Sequence, residues 1–152
     1  NFSIRKRVLL EASGFHPDGM PEDMIVFRGD GESHVANYIL LKKYKAFYNP
    51  KASIYHKVPK TRLLIEYYQK RYFLEGISYS YKMTRNRPSI NCKNLINNLI
   101  NTILSFLSIK QMPQFIKLSK RSFKDGYQFH QKAVRNNREL YRWITKPNYL
   151  DE

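Results

Sequence analysis

The sequence predicts an α/β fold in which short strands are set among helices and followed by a mainly α-helical tail. Three observations carry this expectation. Apolar residues recur at helical spacing over 33–44 and again over 61–74; two short β-like runs lie between them, at 45–48 and 52–56; and the period is helical from 114 to 144. The same pattern divides the chain into a mixed unit over 1–83, a linker over 84–92 and a helical tail over 93–152.

Each element has a local reason. Residues 5–12 read as a short helix closed by Gly14, the residue type that most easily takes the left-handed conformation ending helices. A polar loop follows, with turn signals at His16-Pro17-Asp18-Gly19 and Gly29-Asp30-Gly31-Glu32. The next helix buries Val35, Ala36, Ile39 and Leu40 on one face and carries Lys42 and Lys43 in its last turn, where cations suit the helix dipole. Asn49-Pro50-Lys51 forms the turn between the two β-like runs, and Pro59 ends the second. A longer helix with Leu64, Tyr67, Tyr68 and Tyr72 at helical spacing is interrupted at Gly76; the tail helix carries a break at Gly126. The apolar run 95–109, broken by Asn97, Asn98, Asn101 and Thr102, is too short and too polar to span a bilayer.

Composition narrows the function classes. A chain of 152 residues holds one ordinary domain, short for an enzyme that binds a nucleotide and a second substrate, and its opening on Asn1 leads us to expect a piece of a longer protein. Its 27 Lys and Arg against 12 Asp and Glu give a formal charge of +15, which favours anionic partners: lipid headgroups, phosphorylated substrates or nucleic acid. The cations are spread along the chain, without zinc-finger spacing, an RNP-like strand or a basic zipper, so no specific nucleic acid is expected. The alternative function is a basic interaction module binding anionic membrane or nucleic acid, with 95–109 as an interfacial helix in the membrane case. The single Cys92 excludes an internal disulfide and suits a reducing, cytoplasmic location, peripheral at the inner face of the membrane.

Asp30 and Glu32 bracket a glycine just before a helix, so two carboxylates reach one spot where free helix N–H groups stabilise negative charge. A carboxylate there can take a proton from a hydroxyl nucleophile. The competing reading is a helix start, with Asp30 or Ser33 as N-cap and Glu32 as a first-turn acid. His56 stands where a strand opens into a loop, a place for an acid-base residue or a ligand. Arg62, Arg71 and Arg85 are candidate clamps for diphosphate oxygens, against the alternative of a solvated basic face. Tyr79 and Tyr81 can stack on a sugar ring or pack in a core.

Taken in order, these motifs resemble the second half of the catalytic domain of family 2 glycosyltransferases, which have the GT-A fold. Ser13-Gly14-Phe15 with Asp18 is similar to that family's Gly-Gly-Phe-plus-acid turn, with serine for the first glycine. Gly29-Asp30-Gly31-Glu32 stands where the family has Glu-Asp opening a helix. Tyr44-Lys45-Ala46-Phe47-Tyr48-Asn49-Pro50-Lys51-Ala52 and Tyr55-His56 resemble its aromatic, Pro, Ala segment and strand-end His, with Lys43 at the family's glycine.

The resemblance implies an inverting, hexosyltransferase-like enzyme that moves sugar from a nucleotide-sugar donor to a glycan or lipid-linked acceptor, in surface polysaccharide or glycolipid synthesis. It makes Glu32 the catalytic base, Asp30 the alternate and His56 a ligand of a divalent metal, Mg or Mn; Arg62, Arg71 and Arg85, read from their chemistry alone, would be the diphosphate contacts. The family's nucleotide-binding half with its Asp-x-Asp motif is missing, so the metal is held largely elsewhere and these 152 residues alone are not expected to turn over.

Overall fold

A computed structural model describes residues 2–86 and 114–148. Its elements are α1 (Lys6–Glu11), two 3-10 turns (His16–Asp18 and Glu22–Phe27), α2 (Gly31–Leu41), a third 3-10 turn (Lys60–Leu63), α3 (Ile65–Arg85), α4 (Gln114–Asn136) and α5 (Arg138–Thr145). The expected α/β architecture of a GT-A half is therefore corrected: 68% of the described residues are helical, and no strand or sheet is present among them.

The reason lies in pairing. An isolated two-stranded hairpin is marginal in water, and a strand needs a neighbour for its N–H and C=O groups. The turn expected at Asn49-Pro50-Lys51 does form: the Ala52 N–H donates to the Asn49 carbonyl at 3.1 Å and the Lys51 N–H to Asn49 Oδ1 at 3.0 Å. Its flanks, 45–48 and 52–56, remain irregular and exposed, with no described segment to ladder against. The expected interfacial helix at 95–109 and most of the linker 84–92 lie outside the described residues.

Both helices preceding the cleft loop and the irregular stretch end in the same way. After α1, the Ser13 N–H donates to the Leu10 carbonyl and Gly14 N–H to Leu9; after α2, Lys43 donates to Leu40 and Tyr44 to Ile39. These are Schellman ends, which place the residue after the cap in the left-handed region. Ser13 (φ 63°) and Lys43 (φ 56°) occupy those positions without being glycine.

Neither Gly76 nor Gly126 breaks its helix. α3 and α4 cross there at backbone distance: a Cβ on Gly76 would meet the Phe123 carbonyl oxygen and stand 2.8 Å from the Tyr127 nitrogen, and one on Gly126 would meet the Phe73 carbonyl oxygen. The break in the tail falls at Asn137, whose extended backbone (φ −126°, ψ 103°) leaves α4 and whose side chain accepts from the Leu140 N–H at 3.0 Å as the N-cap of α5. Beyond the crossing, Tyr81, Val134, Leu140 and Ile144 close on Met20 and Met24 to form the core. Burying each of the larger aliphatic side chains stabilises the fold by roughly 1.5–3 kcal/mol.

A buried polar network runs beside this core. Gln131 Nε2 donates to Ser80 Oγ at 2.8 Å and to Thr84 Oγ1 at 3.3 Å, Thr84 Oγ1 donates to the Ser80 carbonyl, and Ser80 Oγ bonds His130 Nδ1 at 2.8 Å. Burial pushes the His130 pKa down to about 4, opposed in part by a backbone hydrogen bond at Phe27.

Candidate active site

The loop before α2 is held by what its glycines allow. Gly29 donates its N–H to the Pro17 carbonyl at 2.9 Å, and a Cβ on it would stand 2.6 Å from the Tyr81 ring. Gly31 donates to Asp18 Oδ2 at 3.2 Å, so close that a Cβ there would strike that carboxylate. Only residues without a side chain fit these two places, and Asp30 and Glu32 alternate with them.

The two carboxylates then part in role. Asp30 is the N-cap of α2, accepting from the Ser33 N–H at 3.3 Å and from the Ser33 hydroxyl at 2.5 Å. Glu32 is an exposed first-turn residue whose side chain makes no hydrogen bond or ion pair among the described residues. The cap reading thus holds for Asp30 and leaves Glu32 uncommitted.

Both line a cleft of about 490 Å³ between this loop and α3, together with the charged Asp18, Arg28, Arg71 and Glu75 and the apolar Ile25, Val26, Leu74 and Ile77. Arg71 pairs with Glu75 at 3.1 Å, and Arg28 Nε stands 3.8 Å from Asp18. Both pairs are half-exposed, where solvent screening leaves each arginine available to an anion. A charged, half-apolar cleft with an uncommitted carboxylate can orient a hydroxyl substrate, take its proton and hold an anionic group beside it. Comparison of the chain with known protein families, curated proteins and solved structures finds no match.

Of the other residues singled out in the sequence, none joins this cleft. The guanidinium of Arg85 instead donates to the carbonyls of Ile144 (2.7 Å), Lys146 (2.8 Å) and Pro147 (3.1 Å), closing the C-terminal end of α5. Arg62 lies 5.8 Å from the centre of the Tyr67 ring. His56 sits in the exposed stretch after the turn, and no group of three or more His, Cys, Asp or Glu gathers as a metal site among the described residues. The described side chains therefore do not by themselves assemble a complete metal centre. Tyr81 is core, and Tyr79 packs against Phe123 and Tyr127 at 5.7 and 6.2 Å between ring centres.

Two features had no sequence signal. Arg28 is a lone cation outside any motif, and only the fold of the loop turns it into the cleft. His16, read as part of a turn, is buried; its Nε2–H donates to the Lys146 carbonyl at 2.9 Å and ties the loop to the end of α5. Burial, with the nearby Arg85 charge, pushes its pKa down to about 4.

Proposed function

We propose that this chain supplies the acceptor side of an inverting glycosyltransferase, with Glu32 as general base and Arg71 beside the leaving diphosphate. The reading is supported by one juxtaposition: Glu32, which has no partner among the described residues, shares a cleft with Arg71, far from it in sequence. The ordered likeness to family 2 motifs supplies the reaction class, and a glycan or lipid-linked acceptor follows from it.

In this reading the acceptor O–H gives its proton to the Glu32 carboxylate as its oxygen attacks the anomeric carbon from the face opposite the nucleotide. The bond from that carbon to the diphosphate oxygen breaks, the diphosphate leaves with the electron pair, and configuration inverts. Arg71 faces the charge that builds on the diphosphate, exchanging Glu75 for phosphate oxygens, with Arg28 as a second donor. Asp30 holds the start of α2, and through it Glu32, in place. A divalent metal in such a reaction would draw most of its ligands from outside the described residues, and no step above depends on one.

The test is nucleoside diphosphate release by the full-length gene product, over a panel of nucleotide sugars with a glycan acceptor. Glu32→Gln is expected to lower kcat by about 10²–10⁴ with donor affinity unchanged, whereas Arg71→Ala raises the donor KM. Undiminished turnover in Glu32→Gln would remove the reading.

A further inference from the structure

No residue from 40 to 66 is buried or half-buried. In a chain whose other helices find partners, this arm holds out Leu40, Leu41, Phe47, Tyr48, Ile54 and Tyr55, with Phe47 and Tyr48 at 88% and 90% exposure. Exposed apolar groups on this scale mark a contact surface. The same arm carries Lys42, Lys43, Lys45, Lys51, Lys57, Lys60 and Arg62, and no acidic residue stands between Glu32 and Glu66.

We propose that residues 40–65 lie on an anionic lipid surface, with the aromatic and aliphatic side chains in the headgroup boundary and the cations over lipid phosphates. Charge complementarity selects an anionic partner. The side chains select lipid among anions: Tyr and Phe suit the interface of a bilayer, and Leu40, Leu41, Ile54, Val58 and Leu63 gain from hydrocarbon but not from base stacking. A second copy of the chain is a poor occupant, because it would bring the same seven cations face to face. The arm is also presented from both ends. Tyr44 is fixed by its hydroxyl, which donates to Glu11 Oε2 at 2.9 Å, and α3 begins at Ile65. This surface does not depend on the transferase reading.

The test uses the 152-residue chain with vesicles of phosphatidylcholine alone and of phosphatidylcholine mixed with phosphatidylglycerol. Co-sedimentation is expected with the mixed vesicles only, weakening with added salt. Two double variants at exposed positions, Phe47→Ser with Tyr48→Ser and Lys45→Glu with Lys51→Glu, should each weaken it about ten-fold or more while circular dichroism stays that of the parent. Limited trypsin digestion of the unaltered chain gives an independent reading: mixed vesicles should slow cleavage after Lys45, Lys51 and Lys57, and neutral vesicles should not. Equal binding to neutral vesicles, or binding indifferent to both double variants, would overturn the proposal. So would an oligonucleotide that binds through the arm while vesicle binding is untouched by the variants.

Discussion

The α3–α4 crossing and the arm between α2 and α3 are opposite solutions to the same shortage of partners. At the crossing, two glycines let the backbones of α3 and α4 meet. In the arm, residues of high strand propensity find no strand to pair with among the described residues and stay in solvent. The contrast teaches that hydrophobic pattern selects a structure only where a complementary surface is supplied, and that the chain's stability and its exposed surface reside in different segments.

The comparison breaks most sharply at Gly126. Gly126→Ala drives a methyl into the Phe73 carbonyl, backbone against backbone, and should cost about 3 kcal/mol or more, measured by urea denaturation, or prevent folding. An alanine in the arm, as in Phe47→Ala, should leave the same midpoint unmoved.

Next in size is Arg85. Arg85→Ala leaves three carbonyls at the end of α5 without their charged donor and should cost about 2–3 kcal/mol, with donor KM unchanged once the protein is folded. A large rise in KM at full stability would return Arg85 to the anion site.

The packed region should also respond to acid. His16 and His130 are held down to about 4 in the fold, against 6.5 for an unperturbed imidazole, so the unfolded chain binds protons that the folded chain refuses. Their contribution to stability is whole above pH 6.5, is lost as pH falls from 6.5 to about 4, and changes no further below that. Arg85, Lys146 and His34 face His16 and deepen its share. Denaturation midpoints taken across this window should fall, and less steeply in His16→Asn.

The smallest effect sharpens the boundary between the regions. Lys43 holds a left-handed backbone where glycine is free of strain, and Lys43→Gly should stabilise by about 0.5–1 kcal/mol in the same assay.

These residues also show how far the sequence can be read. The helical period announced α1, α2 and the tail because one apolar stripe is enough to define a helix face. The two β-like runs misled because alternation tells which face a side chain would take, not whether a second strand exists. Gly76 and Gly126 read as breaks, yet whether a glycine ends a helix or admits another is decided by the opposite helix. The place of Asp30 and Glu32 at a helix start was legible, and with it the cap role of Asp30. Arg85 was not, since its acceptors at 144–147 are brought to it only by the packing of α5.

The division of labour between the two carboxylates is the centre of the account, and one pair of variants addresses it. Asparagine caps a helix as well as aspartate, so Asp30→Asn removes a possible base without unfolding α2, and Glu32→Gln does the same for its neighbour. Turnover of both in the full-length protein, over the same nucleotide-sugar panel, should show Glu32→Gln down by about 10²–10⁴ and Asp30→Asn within a few-fold of the parent. Loss of turnover in Asp30→Asn with activity kept in Glu32→Gln would contradict it.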